Sequence, residues 1–296
     1  MTKDIYSEIT NRIIEELEQG IIPWNKPWTG VSAGAISHTT GRPYSILNQM
    51  LLQKPGEYIT FNQCKKAGGS VKKGAKAKFV VFWKFMCKAK ADENGDPVIG
   101  DDGTPELETY GILKYYNVFH IDDCEGISPK WDKEPAKIAD VDENAEDVFT
   151  GYLHREGIRF EQEKSDKAYY SPSSDYIHLP LREQFENTAE YYSTAFHEAT
   201  HSTGHVSRLN RFEAGAAAAA FGSESYSKEE LVAEIGSACI INELGLETQS
   251  SFKNSAAYIQ SWIRALKNDK RMIVSAAAKA EKAVKMILNI QAESEE

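Results

Sequence analysis

Cysteine and long apolar runs are both scarce in this chain of 296 residues. The four cysteines are far apart and form no Cys-x-x-Cys pair, so neither a disulfide framework nor a cysteine-rich zinc site is indicated. They are Cys64, Cys87, Cys124 and Cys239. No apolar run approaches the roughly eighteen residues of a membrane span, and residues 1–18 have the pattern of an amphipathic helix, not of a signal peptide. We therefore expect reduced thiols, no membrane partner and a cytoplasmic location.

Acidic residues are also scarce in the first 90 positions, although the whole chain carries a net charge of −10. Residues 1–90 hold 14 Lys and Arg against 6 Asp and Glu, a net of +8. Residues 91–296 hold 20 against 38, a net of −18. Because salt screens charges beyond roughly 10 Å, each surface acts on its own surroundings. A polyanionic partner is therefore expected for the first part only.

The spacing of apolar residues predicts an α+β protein, and the chain is long enough for two hydrophobic cores. For the first part it predicts a helix at 3–19, strands at 58–61, 79–85 and 115–121, a short helix up to residue 67 and a hairpin tip at 91–108. For the second part it predicts a helix at 145–156, a hairpin at 169–179, a helix from the N-cap Asn187 to a stop at Gly204, and further helices within 256–290. The predicted domains are 1–122 and 145–296, joined by a linker at 123–144.

Nine lysines and no acid lie between Cys64 and Lys90, and aromatic residues are interleaved with the last of them. Lysines neutralise phosphates and release counterions, while exposed aromatic rings stack on bases. The run therefore predicts a sequence-tolerant site for single-stranded nucleic acid, with a duplex as the alternative ligand. The competing interpretation is a strand edge protected by lysine, with the aromatic rings in the core. Alternation along a strand places at least some of these rings inside.

The segment His197-Glu198-Ala199-Thr200-His201 predicts a metal site. Residues four apart lie on one face of a helix, so His197 and His201 present two imidazoles to one point, with Glu198 beside them. Zinc lowers the pKa of a bound water to about 7, and an adjacent carboxylate can take its proton as it attacks a carbonyl group. Glu198 is the predicted catalytic base. The alternative is a surface helix with two solvated histidines.

A catalytic zinc site needs a third protein ligand. The metzincin pattern would place a histidine six residues after the motif, but Ser207 stands there. We predict Glu230 as the ligand and Glu234 as the carboxylate that holds a histidine ring, because two carboxylates on one helix face repel unless a cation or a histidine lies between them. Alternatively, Ser227-x-x-Glu230 is a capping box that opens a helix, and Glu229 would then be the ligand.

With these motifs in place, the whole chain resembles the ArdC antirestriction proteins of conjugative plasmids. In the first half the resemblance lies in Pro23-Trp24-Asn25-Lys26-Pro27-Trp28, Thr40-Gly41-Arg42-Pro43-Tyr44, Tyr58-Ile59-Thr60-Phe61-Asn62-Gln63, Val71-Lys72-Lys73-Gly74, Phe82-Trp83-Lys84 and Tyr116-Asn117-Val118-Phe119. In the second half it lies in His197-Glu198-Ala199-Thr200-His201-Ser202-Thr203-Gly204-His205 and Glu229-Glu230-Leu231-Val232-Ala233-Glu234. The alanine-rich stretch at 214–220 departs from the pattern and makes the spacing between the two metal-binding helices uncertain.

The resemblance implies a single-stranded-DNA-binding N-terminal domain, a zincin-like metallopeptidase domain and a role in shielding incoming plasmid DNA. Such N-terminal domains also resemble those at the front of some plasmid primases, but no primase catalytic carboxylate motif is present. The metal would be Zn²⁺, or another divalent transition metal such as Mn²⁺, and the protein substrate is unknown. The expected DNA contacts are Arg42, Lys65, Lys66, Lys72, Lys73, Lys76, Lys78, Trp83 and Lys84.

Two other functions fit the same residues. The first is a DNA-binding protector whose metal is structural and cleaves nothing. The second is a general DNA-associated metalloprotease that removes proteins from DNA. Structural zinc sites usually have four protein ligands, so the presence of Glu198 beside only three predicted ligands favours a hydrolytic site.

Overall fold

The predicted α+β class is correct. A computed structural model describes residues 4–25, 34–52, 54–131, 141–212, 224–246 and 255–291. The alanine-rich stretch at 214–220 and most of the second half of the predicted linker lie outside these ranges. Within them, no helix is long and apolar enough to cross a bilayer.

Two helices cover one side of the N-terminal part. Helix α1 (Ile5–Glu18) begins after Asp4, whose carboxylate accepts a hydrogen bond from a backbone N–H of the first turn. Its residues Ile9, Ile13 and Leu17 recur every four positions and are buried. Helix α2 (Ile46–Leu52) is buried throughout. The side chain of its Asn48 both donates to and accepts from the backbone of Val81, which fixes an edge strand onto the helix.

The strands of the N-terminal part form two sheets. They are β1 (Ala35–Ser37), β2 (Gly56–Thr60), β3 (Ser70–Val71), β4 (Lys78–Ala89), β5 (Leu107–His120) and β6 (Cys124–Glu125). The larger sheet has the order β1-β2-β5-β4, with β1 parallel to β2 and the other pairs antiparallel. Helix α3 (Phe61–Lys66) follows β2 directly, opened by a capping box between Thr60 and Gln63. Strands β3 and β6 pair antiparallel in the smaller sheet.

Strands β4 and β5 extend far beyond the rest of the sheet. They pair from Lys78 opposite Val118 to Ala89 opposite Leu107. From Phe82 onward the side chains of β4 are exposed on both faces. We call residues 82–89 and 107–112 the ribbon. The predicted hairpin tip joins its two strands, and β5 begins eight residues earlier than the predicted strand.

The C-terminal part places helices against a small sheet. Its elements are α4 (Val141–Glu156), β7 (Arg159–Glu163), β8 (Tyr169–Ser171), β9 (Tyr176–Pro180), α5 (Thr188–Ser202), α6 (Glu224–Glu243), α7 (Ser255–Asn268) and α8 (Met272–Ile287). Strand β9 pairs parallel with β7 and antiparallel with β8, so the predicted hairpin is present. Helix α4 begins four residues before its predicted start.

One buried cluster includes residues from both parts of the chain. Apolar residues of α1 and α2 share it with those of α5, α6, α7 and α8. Trp24 packs edge-on against Trp262, with ring centroids 5.2 Å apart. In the predicted linker, the backbone N–H groups of Lys130 and Trp131 donate to Glu57 of β2. The N-terminal sheet therefore holds the first residues of that linker, and the boundaries at 122 and 145 stay a prediction.

Candidate metal centre and nucleic-acid surface

Helix α5 presents the two histidines of the motif. It begins where the Asn187 side chain accepts a hydrogen bond from the Glu190 N–H at 3.0 Å. One face, with Phe196 and Ala199, is buried in the core, and this fixes the orientation of the helix. His197 and His201 consequently point the same way, and their Nε2 atoms lie 3.1 Å apart.

Helix α6 brings the glutamates to the histidines. It begins at Glu224, so Ser227 lies inside the helix and the capping-box interpretation of Glu230 is wrong. The α5–α6 approach depends on Gly236, because a Cβ there would lie 2.7 Å from the Thr200 side chain. A hydrogen bond of 2.7 Å from Ser237 Oγ to the Ser193 carbonyl ties the same two helices together.

Three side chains converge in a way that suits a divalent metal ion. Glu230 Oε2 lies 3.5 Å from His197 Nε2, and Glu230 Oε1 lies 3.4 Å from His201 Nε2. In a tetrahedral zinc site with bonds of 2.0–2.1 Å, neighbouring ligand atoms are about 3.4 Å apart. The ligand atoms of these three residues all lie within 4.8 Å of one another. The two-histidine, one-glutamate set could therefore hold such an ion.

The outer nitrogen of each imidazole faces a carboxylate. Glu234 Oε1 lies 3.9 Å from His197 Nδ1, where a second carboxylate was predicted. Glu229 Oε1 lies 3.5 Å from His201 Nδ1, on the opposite side of that ring from Glu230. A carboxylate at Nδ1 fixes the ring orientation and leaves Nε2 to bind the metal. Glu229 thus occupies the position of a supporting group for His201.

Arg211 is a contributor that the sequence did not reveal. Its guanidinium donates from Nη2 to Glu229 Oε1 at 2.5 Å and from Nε to Oε2 at 3.2 Å. The same side chain donates to the Thr200 carbonyl and to Thr203 Oγ1 on α5 and its C-cap. Arg211 therefore fixes Glu229 against the end of the metal-binding helix.

Without a metal ion, the histidines and glutamates of the site stabilise one another's charges. Burial raises the pKa of Glu230, but hydrogen bonds from the two histidines outweigh it and hold that pKa well below its usual value. Burial lowers the pKa of His201, but its contacts with Glu229 and Glu230 raise it to about 10. Glu230 is therefore a carboxylate, the form that binds metal ions.

Glu198 is buried beside the two histidines. Its charge raises the pKa of both rings, as expected for a neighbouring carboxylate. No other described residue donates a hydrogen bond to its carboxylate. The group is therefore available to a water molecule beside the histidines.

The predicted DNA contacts spread over several elements. Arg42 is exposed between β1 and α2, and Lys65 and Lys66 end α3. The remaining lysines occupy the β3–β4 connection and β4 itself: Lys72, Lys73, Lys76, Lys78 and Lys84. Trp83 and Lys84 are neighbours in a strand, so their side chains lie on opposite faces of the ribbon. The predicted set therefore does not form one continuous surface.

The outer end of the lysine run is neutralised from the opposite strand. Lys88 pairs with Glu108 and Lys90 with Glu106, each at 2.8 Å between nitrogen and oxygen. A count along the sequence misses these acids because Glu108 lies in β5 and Glu106 lies just before it. Unlike these two lysines, the predicted contact Lys72 has a neutral partner, the Asp122 carbonyl oxygen at 2.8 Å.

Exposed aromatic rings occupy both faces of the ribbon. Phe82 and Trp83 each keep 46% of their surface accessible and Phe85 keeps 69%, whereas Phe79 is partly buried beneath Arg12. The interpretation that places all these rings in the core is therefore wrong, and the expectation that only some are inside is confirmed.

Comparison with known proteins agrees with this arrangement. Residues 146–279 match the family model described as "Zincin-like metallopeptidase", and residues 3–119 match the "N-terminal domain of anti-restriction factor ArdC". The crystal structure of the antirestriction ArdC protein from plasmid R388, in its Mn(II)-bound form, superposes with a TM-score of 0.70 at 33% identity. The similarity covers 97% of this chain and 98% of that one. The metal-free form gives a TM-score of 0.69 at 35% identity.

The fold and the site thus define a zincin-like domain joined to an ArdC-type N-terminal domain. The chain belongs to the ArdC family of antirestriction proteins. It is also 37% identical, over 97% of its length, to a DNA primase TraC of Escherichia coli. It spans only 27% of that protein and 19% of a second TraC.

Proposed function

We propose that this protein binds single-stranded DNA in the cytoplasm, protects incoming plasmid DNA, and carries a zinc-dependent peptidase-type site. The observation that supports the hydrolytic site best is the convergence of His197, His201 and Glu230, with the carboxylate of Glu198 beside them. Three protein ligands leave a fourth position for water or substrate, as in catalytic zinc sites.

Each residue has a separate task in the proposed reaction. His197, His201 and Glu230 would hold the zinc ion, which would supply Lewis acidity at the site. Glu198 accepts a proton from the attacking water and delivers it to the leaving amine. Glu234 and Glu229 keep His197 and His201 oriented through their Nδ1 atoms. The protein that would be cleaved is unknown.

Zinc is the first choice of metal and Mn²⁺ the second. Imidazole nitrogens suit zinc, and the general affinity order of divalent metals places Zn²⁺ above Mn²⁺. The solved R388 relative was crystallised with Mn(II), so manganese fits a closely similar fold.

Single-stranded DNA is proposed because the N-terminal part of the chain exposes both cations and aromatic rings. Lysines at the β3–β4 connection would neutralise phosphates, while Trp83 offers a ring for stacking. An unpaired strand exposes the faces of its bases, whereas a duplex hides them.

Replacing Glu198 by Gln tests whether the site is hydrolytic. The amide keeps the size of the side chain but cannot take a proton, so metal content and DNA binding should equal those of the unmodified protein. Any peptidase activity, measured on a peptide library with single-stranded DNA present, should fall by at least about 100-fold. Undiminished cleavage by this variant would remove Glu198 from the mechanism.

A further inference from the structure

The C-terminal part of the chain is not uniformly acidic. Residues 255–291 hold seven Lys and Arg against two Asp and Glu, a net of +5. Three of these cations form ion pairs with acids of α1, its N-cap and α8: Lys267 with Glu18, Lys270 with Asp4 and Lys285 with Glu281. Lys279 and Lys282 of α8 are exposed, and neither has an ion-pair partner among the described residues.

The face of the ribbon that carries Trp83 is turned toward α8. Gly111 on β5 makes room for the indole, since a Cβ there would lie 2.9 Å from Trp83 Cε3 and 3.4 Å from Phe85 Cε1. Both rings pack next to Gly111, and both remain exposed. Two open ring surfaces therefore face the same side as the lysines of α8.

A groove separates α8 from this face of the ribbon. It contains two adjoining hollows of about 300 and 350 Å³, and both are lined by Trp83, Val274, Ala278 and Lys282. Lys279 lines the larger hollow. Val274, Ala277 and Ala278 of α8 form its apolar floor. The acid Glu281 also lines the smaller hollow, where Lys285 pairs with it. An apolar floor with a few charged groups is the usual composition of a binding cleft.

We propose that single-stranded DNA runs through this groove, with a base stacked on Trp83 and its phosphates paired with Lys279 and Lys282. Single-stranded DNA is the occupant that uses both features, because it offers planar bases to the ring and regularly spaced negative charges to the lysines. The inference rests on the proposed DNA-binding function and extends it to the zincin-like domain. The bound strand then touches both family-matched regions of the chain.

The lysines are tested by salt titration of binding to a fluorescent oligothymidylate, using the full chain. Each lost phosphate contact on a single strand lowers the slope of log K against log salt by about 0.7, so Lys279→Gln with Lys282→Gln should lower it by about 1.4. The control is Lys164→Gln with Lys167→Gln, which removes the same charge from the exposed β7–β8 connection. Equal slopes in the two double variants overturn the proposal.

The ring is tested by a matched pair of neighbours. Trp83→Leu should weaken binding roughly 5- to 150-fold, the range expected for losing one base stack. Phe82→Leu is the comparison, because Phe82 has the same exposed fraction but lies on the other face of the ribbon. The proposal is overturned if Trp83→Leu binds as well as the unmodified chain, or if Phe82→Leu loses as much affinity.

The experiments distinguish a failure of the groove proposal from a failure of the proposed DNA-binding function. An unmodified chain that does not bind the oligonucleotide at low salt contradicts DNA binding itself. If the unmodified chain binds, and the Lys279→Gln/Lys282→Gln variant and Trp83→Leu are both unaffected, only the groove is contradicted. Circular dichroism and thermal unfolding of each variant establish that a loss of binding is not a loss of fold.

Discussion

The metal centre and the ribbon place functional side chains in opposite environments. The histidines of α5 are held between packed helices, and each has a carboxylate on its outer nitrogen. The ribbon has exposed side chains on both faces, and Lys88 and Glu108 form an ion pair across its strands. Chemistry on a substrate needs groups held in one geometry, whereas a sequence-tolerant grip on DNA needs charge and ring surface that adapt. Changes in the first region should therefore abolish activity, and changes in the second should reduce affinity by degrees.

The largest effect is expected on peptidase activity, in the Glu198→Gln variant. General base catalysis contributes about 100- to 10,000-fold, so peptidase activity should fall in that range. DNA affinity and metal content should stay unchanged, because Glu198 is not among the proposed ligands. If this variant still protects DNA, protection depends on DNA binding. If protection is lost completely while metal is still bound, hydrolysis is part of the protective mechanism.

The next largest effect is expected on metal affinity, which distinguishes the role of Glu230 from that of Glu229. Glu230→Gln removes a proposed ligand and should lower metal affinity more than Glu229→Gln does. Loss of a group that only orients a ligand typically costs about 10- to 100-fold in metal affinity. Competition with a metal indicator measures both variants on one scale. A larger loss in Glu229→Gln would reverse the assignment.

A substitution at the contact between α5 and α6 should lower the stability of the protein without changing a residue of the proposed metal site. Gly236→Ala places a methyl group 2.7 Å from Thr200, so α5 and α6 must move apart. Overpacking of this kind costs about 1–3 kcal/mol of unfolding free energy. Gly151→Ala in α4 is the control, because a Cβ there meets nothing within 4 Å. Thermal unfolding should show a loss for the first variant and no loss for the second.

The smallest effect is expected from the lysines of the β3–β4 connection. Lys72→Gln, Lys73→Gln and Lys76→Gln together should flatten the salt dependence of single-stranded-DNA binding by about 0.7 for each phosphate contact removed. Peptidase activity on a short peptide should be unaffected. A salt slope equal to that of the unmodified protein would mean that these lysines are only a solvated surface.

The metal-binding helix was predictable because its signals are local. The Asn187 cap, the four-residue spacing of His197 and His201 and the apolar face of α5 all lie within one short segment. The choice between Glu229 and Glu230 was harder, since neighbouring residues of a helix differ by only 100° in direction. The choice between the two glutamates depends on the residue at which α6 begins and on the close packing of α5 against α6 at Gly236.

Other features depend on contacts between distant segments. Arg211 reaches Glu229 from the connection after α5, and no spacing rule relates the two residues. The charge of Lys88 is paired with that of Glu108, which is twenty residues away in the sequence. The register of β4 and β5 places the two residues opposite each other. The groove beside Trp83 needs α8, which the sequence separates from the ribbon by more than 150 residues.

The central claim is that His197, His201 and Glu230 together hold one divalent ion, and metal analysis tests it most directly. The purified protein, dialysed and then loaded with zinc, should contain about one ion per chain by mass spectrometry of the elements. His201→Ala should retain almost none under the same conditions, while DNA binding persists. Undiminished zinc content in a folded His201→Ala protein would contradict the proposed site.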